Sequence, residues 1–105
     1  MNFTSDAVNH ISILEPFLQQ IQKPEETLDK NTLTEAIQKL EPWVAKMLQS
    51  DMNQVMNFLY RLDISEEKVK HIIFGDHNEK ASLLLSEAII KREIVRRIFR
   101  LKYSS

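Results

Sequence analysis

The 105-residue chain has no cysteine and a single glycine. Without cysteine, disulfide bonds and thiolate chemistry are excluded. The lone Gly75 excludes the Walker phosphate loop and the dinucleotide-binding fingerprint, because each needs several glycines at fixed spacing. No apolar run approaches the roughly 18 residues that a membrane-spanning helix needs. The sequence therefore predicts no transmembrane segment and none of the glycine-rich nucleotide sites.

The first six residues, MNFTSD, lack the basic and apolar regions of a secretion signal. A chain of this length can bury roughly two-thirds of its unfolded surface around one core. We therefore expect a cytoplasmic protein that forms one domain over residues 1–105.

Charge is distributed unevenly along the chain, although the net charge is only −1. Residues 1–90 contain 8 Lys and Arg against 14 Asp and Glu, whereas residues 91–102 contain 6 Lys and Arg and one Glu. The acidic body and the basic C-terminal segment therefore carry opposite net charges of −6 and +5. An anionic partner is one interpretation of this asymmetry, and pairing within the chain is another.

Apolar residues recur at spacings of three and four, which predicts an all-α fold. We expect an irregular bundle of about five helices that ends in a long C-terminal helix. The first helix falls within residues 1–23, a polar linker covers 24–31, and the main helical body covers 32–105. Thr32 and Glu35 match a capping box that would open the second helix. The first apolar stripe comprises Ala7, Ile11, Leu14, Leu18 and Ile21, and Pro16 and Pro42 predict kinks.

Two short helices are predicted within residues 51–75. Asp51 and Ser65 each precede an apolar stripe and can cap a helix by accepting a hydrogen bond from a free backbone N–H. Gly75 follows the second stripe and suits the left-handed position just past a helix end. The stretch around these residues is similar to one found in small bacterial all-helical proteins with no known activity. The similarity rests on Gln54, Leu59-Tyr60-Arg61, Asp63 and Ser65-Glu66, and it implies a bacterial cytoplasmic setting and no catalytic residue.

The last predicted helix, about residues 79–102, carries apolar residues on two neighbouring stripes. One stripe contains Ala81, Leu84, Leu85, Ala88, Val95 and Phe99, and the other contains Leu83, Ile90, Ile94, Ile98 and Leu101. A surface helix needs only one stripe. The helix therefore lies centrally in the bundle, or one stripe meets another subunit. We expect a homodimer in which Leu83, Ile90, Ile94 and Leu101 form the contact, unless the N-terminal helix covers this stripe within one chain.

The basic end of this helix suggests a second function. Arg96, Arg97 and Arg100 are predicted to share a face that could bind an acidic protein or the phosphates of nucleic acid. The ordinary alternatives are a solvated helix end, where positive charge is favoured, and pairing with the acidic body. We expect a non-enzymatic interaction or adaptor domain, with nucleic-acid binding through the three arginines as the alternative.

Metal and catalytic chemistry find little support in the sequence. His71, Asp76, His77 and Glu79 are clustered, but they match no recognised ligand spacing. Ser65 is better explained as a helix cap than as a nucleophile, because the sequence gives no histidine an obvious orienting partner. We therefore predict no catalytic residue, no cofactor and no metal site.

Overall fold

A computed structural model of the chain describes residues 3–76 and 78–103, with side chains described from His10 onward. Within these residues the fold is all-α and contains no strand. The predicted helical bundle with a long C-terminal helix is confirmed. The five helices are α1 Phe3–Leu18, α2 Lys30–Met47, α3 Met52–Arg61, α4 Glu66–Phe74 and α5 Ala81–Tyr103, with a 3₁₀ turn at Asn78–Lys80.

The long helix α5 is the element on which α1, α2 and α4 pack. Its most extensive contact is with α2, and α1 and α4 also lie against it. Leu40, Val44, Leu85, Ile89 and Ile90 have no exposed surface at this junction. Among the helices of the described residues, none has the length and hydrophobicity of a membrane-spanning segment.

The two predicted caps in the central stretch are confirmed. An Asp51 carboxylate oxygen accepts a hydrogen bond from the Asn53 backbone N–H at 2.8 Å and begins α3. The Ser65 hydroxyl accepts one from the Lys68 N–H at 3.1 Å and begins α4. Each cap satisfies one of the N–H groups that a helix leaves free in its first turn.

The predicted capping box at Thr32 is wrong, because α2 begins earlier. Asp29 is the N-cap, and its carboxylate accepts the Thr32 N–H at 2.8 Å. This hydrogen bond to Thr32 lowers the pKa of the Asp29 carboxyl. Thr32 therefore supplies a backbone donor to the cap rather than the capping side chain.

Helix α1 ends at Leu18, five residues before the predicted end. The chain then tightens, with the Gln20 N–H bonded to the Phe17 carbonyl and the Ile21 N–H to the Leu18 carbonyl. Such bonds over three residues are a common way to end a helix. Ile21 is fully buried even though it lies in this turn, which is why the apolar spacing suggested a longer helix.

The linker and the first stripe also differ from the prediction. Leu28 lies between the helices and is buried in the core, so the connection is not purely polar. Ile11 is exposed, whereas Phe17, which is not part of the predicted stripe, is buried. Ala7 lies among the residues whose side chains are not described.

Pro16 and Pro42 lie inside α1 and α2, and both helices continue through them. The predicted kinks stay predictions.

Gly75 does not adopt the predicted left-handed conformation, since its φ is −85°. A side chain is excluded there for another reason: a Cβ on Gly75 would collide with the carbonyl oxygen of His71. The left-handed position belongs instead to Asp63, with a φ of 67°, at the corner between α3 and α4. Aspartate tolerates this conformation better than most residues do.

Candidate functional site

The stripe predicted to meet a second subunit faces largely into its own chain. Ile90 has no exposed surface, and Ile94 and Leu101 pack against the core. Leu83 is half-buried. Because α1 and α2 both lie along α5, this side of the helix is covered within one molecule. Little of Leu83, Ile90, Ile94 and Leu101 is therefore left as open surface within one chain, and self-association through this stripe stays a prediction.

On α5 the exposed apolar side chains lie on the other stripe, which is buried at one end and exposed at the other. Ala81, Leu85 and Ala88 are buried at its N-terminal end. Further along the same stripe the side chains of Val95, Phe99 and Tyr103 are 51, 61 and 65% exposed. The Phe99 and Tyr103 rings lie against each other, with centroids 4.6 Å apart. We call these three exposed residues the contact face.

Arginines border the contact face. Arg92, Arg96 and Arg100 line a shallow groove of about 260 Å³ together with Val95 and Phe99. On the opposite edge of the face, Lys102 places its ammonium 5.6 Å from the centre of the Tyr103 ring. The apolar side chains are therefore flanked by positive charge.

Arg92 and Arg97 are held by carbonyl oxygens of other parts of the chain. Arg92 donates to the Leu62 carbonyl at 2.9 Å and to the Asp63 carboxylate at 3.1 Å, which ties α5 to the α3–α4 corner. Arg97 donates to the Ile21 carbonyl at 3.0 Å, which ties α5 to the turn after α1. Both guanidinium groups thus satisfy carbonyls at the ends of neighbouring helices.

The predicted anion-binding face is only partly assembled. Arg96 and Arg100 line the same groove. Arg97 is directed to the Ile21 carbonyl, and Arg96 also donates to Glu93 at 3.3 Å. The three arginines therefore do not form one free phosphate-binding surface.

Glu93, the acidic partner of Arg96, is buried. Its side chain and that of His10 are each 4% exposed, and a carboxylate oxygen lies 3.8 Å from His10 Nε2. Burial acts to raise the pKa of Glu93, but His10 and the charges of Arg96 and Arg100 outweigh it, and the pKa lies below its ordinary value of 4.5. Glu93 is thus a buried carboxylate held charged by neighbouring donors.

Aromatic rings enclose His10. The Phe58 ring meets it edge to face at a centroid distance of 5.1 Å, and the Trp43 ring lies 5.7 Å away. Helices α1, α2, α3 and α5 therefore meet at His10 and Glu93. Both groups are shielded from solvent, which is unfavourable for binding a substrate and fits a structural role.

The sequence interpretation missed this cluster, although spacing could have found it. His10 lies four residues before Leu14 and seven before Phe17, both buried, so it belongs to the inner side of α1. Glu93 belongs to neither predicted apolar stripe of α5. A single glutamate among six cations was the available signal.

A second concavity of about 180 Å³ lies at the α3–α4 corner. Glu66, which lines it, pairs with Lys70 at 3.0 Å. The residues that line it are Met56, Asn57, Tyr60, Ile64, Glu66 and Val69.

The cluster considered for metal binding falls at the end of α4 and the start of the 3₁₀ turn. His71 and Asp76 are exposed there, as is Glu79, and His77 lies outside the described residues. Within residues 3–76 and 78–103, no group of three His, Asp or Glu side chains is placed to hold a metal ion.

Comparison with family models, curated proteins and solved structures finds no match to this chain.

Proposed function

We propose that the protein is a non-enzymatic protein-interaction domain that binds through the contact face of α5. The observation that supports this is the continuity of one apolar stripe. Its N-terminal end is packed by α5's neighbours, whereas Val95, Phe99 and Tyr103 continue it uncovered. Adjoining exposed apolar side chains of this kind are typical of surfaces that bind another protein.

The composition of the face also favours a protein partner. Aromatic residues and arginine are enriched at protein interfaces, because both provide large contact areas that can also form polar interactions. Phe99 and Tyr103 supply the rings, and Arg96 and Arg100 lie beside them.

Nucleic-acid binding is the weaker alternative. Phosphate recognition needs cations that can leave their intramolecular partners. Arg92 and Arg97 hold carbonyls of the same chain, and Arg96 neutralises Glu93. Redirecting them to phosphates would leave those groups without their donors, at a cost of about 1–3 kcal/mol for each buried group.

Self-association, which the sequence predicted, is one form that the interaction could take. Analytical ultracentrifugation over a range of concentrations tests it, and Phe99→Ser should then convert a dimer to a folded monomer. Ile94→Glu is unsuitable for this purpose, because Ile94 packs against the core and its loss would destabilise the monomer.

An unbiased display library of helical peptides tests binding to other proteins. The wild-type domain is the bait, and Phe99→Ser is used for counter-selection. Phe74→Ser is the matched control, since Phe74 is 69% exposed and lies on α4. We expect peptides that lose binding to Phe99→Ser and keep binding to Phe74→Ser. A domain that stays monomeric and enriches no Phe99-dependent peptide would contradict the proposed function.

A further inference from the structure

We propose that the contact face binds an acidic amphipathic helix of another protein. This inference rests on the proposed function and names the partner's chemistry. It follows from the spacing of the apolar residues, the charge at both edges of the face and the poor fit of a second copy.

The spacing of the contact face suits a helix. Val95, Phe99 and Tyr103 are four residues apart, so they form a ridge along two turns of α5, about 12 Å long at 1.5 Å per residue. Ridges of this i, i+4 type pack into the grooves of another helix. A partner helix needs apolar residues at the same spacing to cover this ridge.

The charge around the ridge selects an acidic partner. At 100° per residue, Arg96 and Arg100 lie on one edge of the ridge, and Lys91 and Lys102 lie on the other. All four side chains are exposed. The segment 94–103 contains no Asp or Glu. Glu93, the nearest acid, is buried beside His10 and Arg96. A partner with carboxylates on both sides of its apolar stripe would complement this pattern.

A second copy of the chain fits less well. In a two-fold contact each subunit presents the same patch, so both edges of cations would meet cations of the twin. Such charges would lie within the Debye length of about 8–10 Å and would not be fully screened. The segment offers no acidic residue to offset them.

Three charge-defined peptide libraries test the partner's chemistry. In all three libraries, apolar residues are randomised at positions spaced by four. The remaining positions are rich in glutamate in the first library, glutamine in the second and lysine in the third. We expect the glutamate library to yield the tightest binders, about tenfold or more above the best glutamine peptides by fluorescence anisotropy. Raising the salt concentration should weaken the glutamate peptides and leave the glutamine peptides nearly unchanged.

Two single-cation variants test whether the charges at the edge of the contact face contribute to peptide affinity. Arg100→Gln should weaken the best glutamate peptide by about three- to tenfold, and Lys39→Gln, an exposed cation on α2, should leave it unchanged. Arg96 is left intact, because it donates a hydrogen bond to buried Glu93. Arg100 acts on Glu93 through its charge, so circular dichroism is used to check that Arg100→Gln is folded.

Each outcome distinguishes the inference from the proposed function. Glutamine or lysine peptides that bind as tightly as glutamate peptides and need Phe99 would overturn the acidic partner and leave the interaction domain standing. A dimer dispersed by Phe99→Ser would make a second copy the occupant and overturn the inference. Binding of duplex DNA that depends on Arg100 but not on Phe99, together with no peptide binding, would overturn both the inference and the proposed function.

Discussion

Individual residues explain where the helices begin and how the chain turns between them. Asp51 and Ser65 were recognisable from the sequence, because a capping side chain acts within three residues and leaves a local pattern. Asp29 was missed, since Thr32 and Glu35 offer an equally good local pattern three residues later. Gly75 was assigned the wrong role, because a close backbone approach to His71 depends on the geometry of the turn.

Removing a confirmed cap should destabilise the fold. Ser65→Ala and Asp51→Ala should each lower the free energy of unfolding by about 0.5–2 kcal/mol, since a first-turn N–H loses its acceptor. Urea denaturation followed by circular dichroism measures the loss. Equal stability of both variants and the wild type would rule out the capping roles.

Gly75→Ala should cost about 1–3 kcal/mol, the usual range for forcing extra atoms into a filled space. The added Cβ would collide with the His71 carbonyl oxygen, which belongs to the backbone and cannot simply rotate away. The same urea titration tests this. A Gly75→Ala variant as stable as the wild type would show that the turn relaxes freely.

Glu93 should contribute to stability in a pH-dependent way. Its pKa is lower in the folded chain than its ordinary value of 4.5, so the folded state binds its proton less readily than the unfolded state does. The stabilisation is therefore complete above about pH 4.5 and is lost as the pH falls through the lowered folded pKa.

The expected result is that Glu93→Gln lowers the free energy of unfolding at pH 7 by about 1–3 kcal/mol, because His10 and Arg96 lose their charged partner. The deficit should shrink at pH 3. Glu66→Gln is the control, since Glu66 forms an exposed pair with Lys70 and should change stability by less than about 1 kcal/mol. A Glu93→Gln deficit that is the same at both pH values would contradict this account.

At the scale of the helix, α5 shows why periodicity alone could not choose its exposed side. Its two apolar stripes satisfy the helical spacing equally well. Which stripe is covered depends on where α1, α2 and α4 pack along α5. Those contacts join residues that are far apart in sequence. The existence and length of α5 were therefore predictable, whereas its open surface required the fold.

Two adjacent residues test this assignment. Ile94 packs against the core, and Val95 is exposed. Ile94→Ser should lower the free energy of unfolding by about 1–3 kcal/mol, whereas Val95→Ser should change it by no more than about 0.5 kcal/mol. Thermal and urea unfolding compare the two. A larger loss for Val95→Ser than for Ile94→Ser would contradict the assignment of Val95 to the exposed side of α5.

At the scale of the whole molecule, the charge asymmetry seen in the sequence is partly used inside the fold. Arg92 and Arg97 tie α5 to the ends of α3 and α1, and Arg96 neutralises Glu93. The sequence could indicate a basic segment but not these long-range partners. Exposed Lys91, Arg100 and Lys102 remain around the contact face.

The binding role of the contact face is tested by the affinity of one selected peptide for three proteins: the wild type, Phe99→Ser and Phe74→Ser. Fluorescence anisotropy gives each dissociation constant, and circular dichroism checks that both variants are folded. We expect Phe99→Ser to weaken binding at least about tenfold, equivalent to about 1.4 kcal/mol, and Phe74→Ser to leave it unchanged. Equal weakening by both variants, or by neither, would contradict a binding role for the contact face.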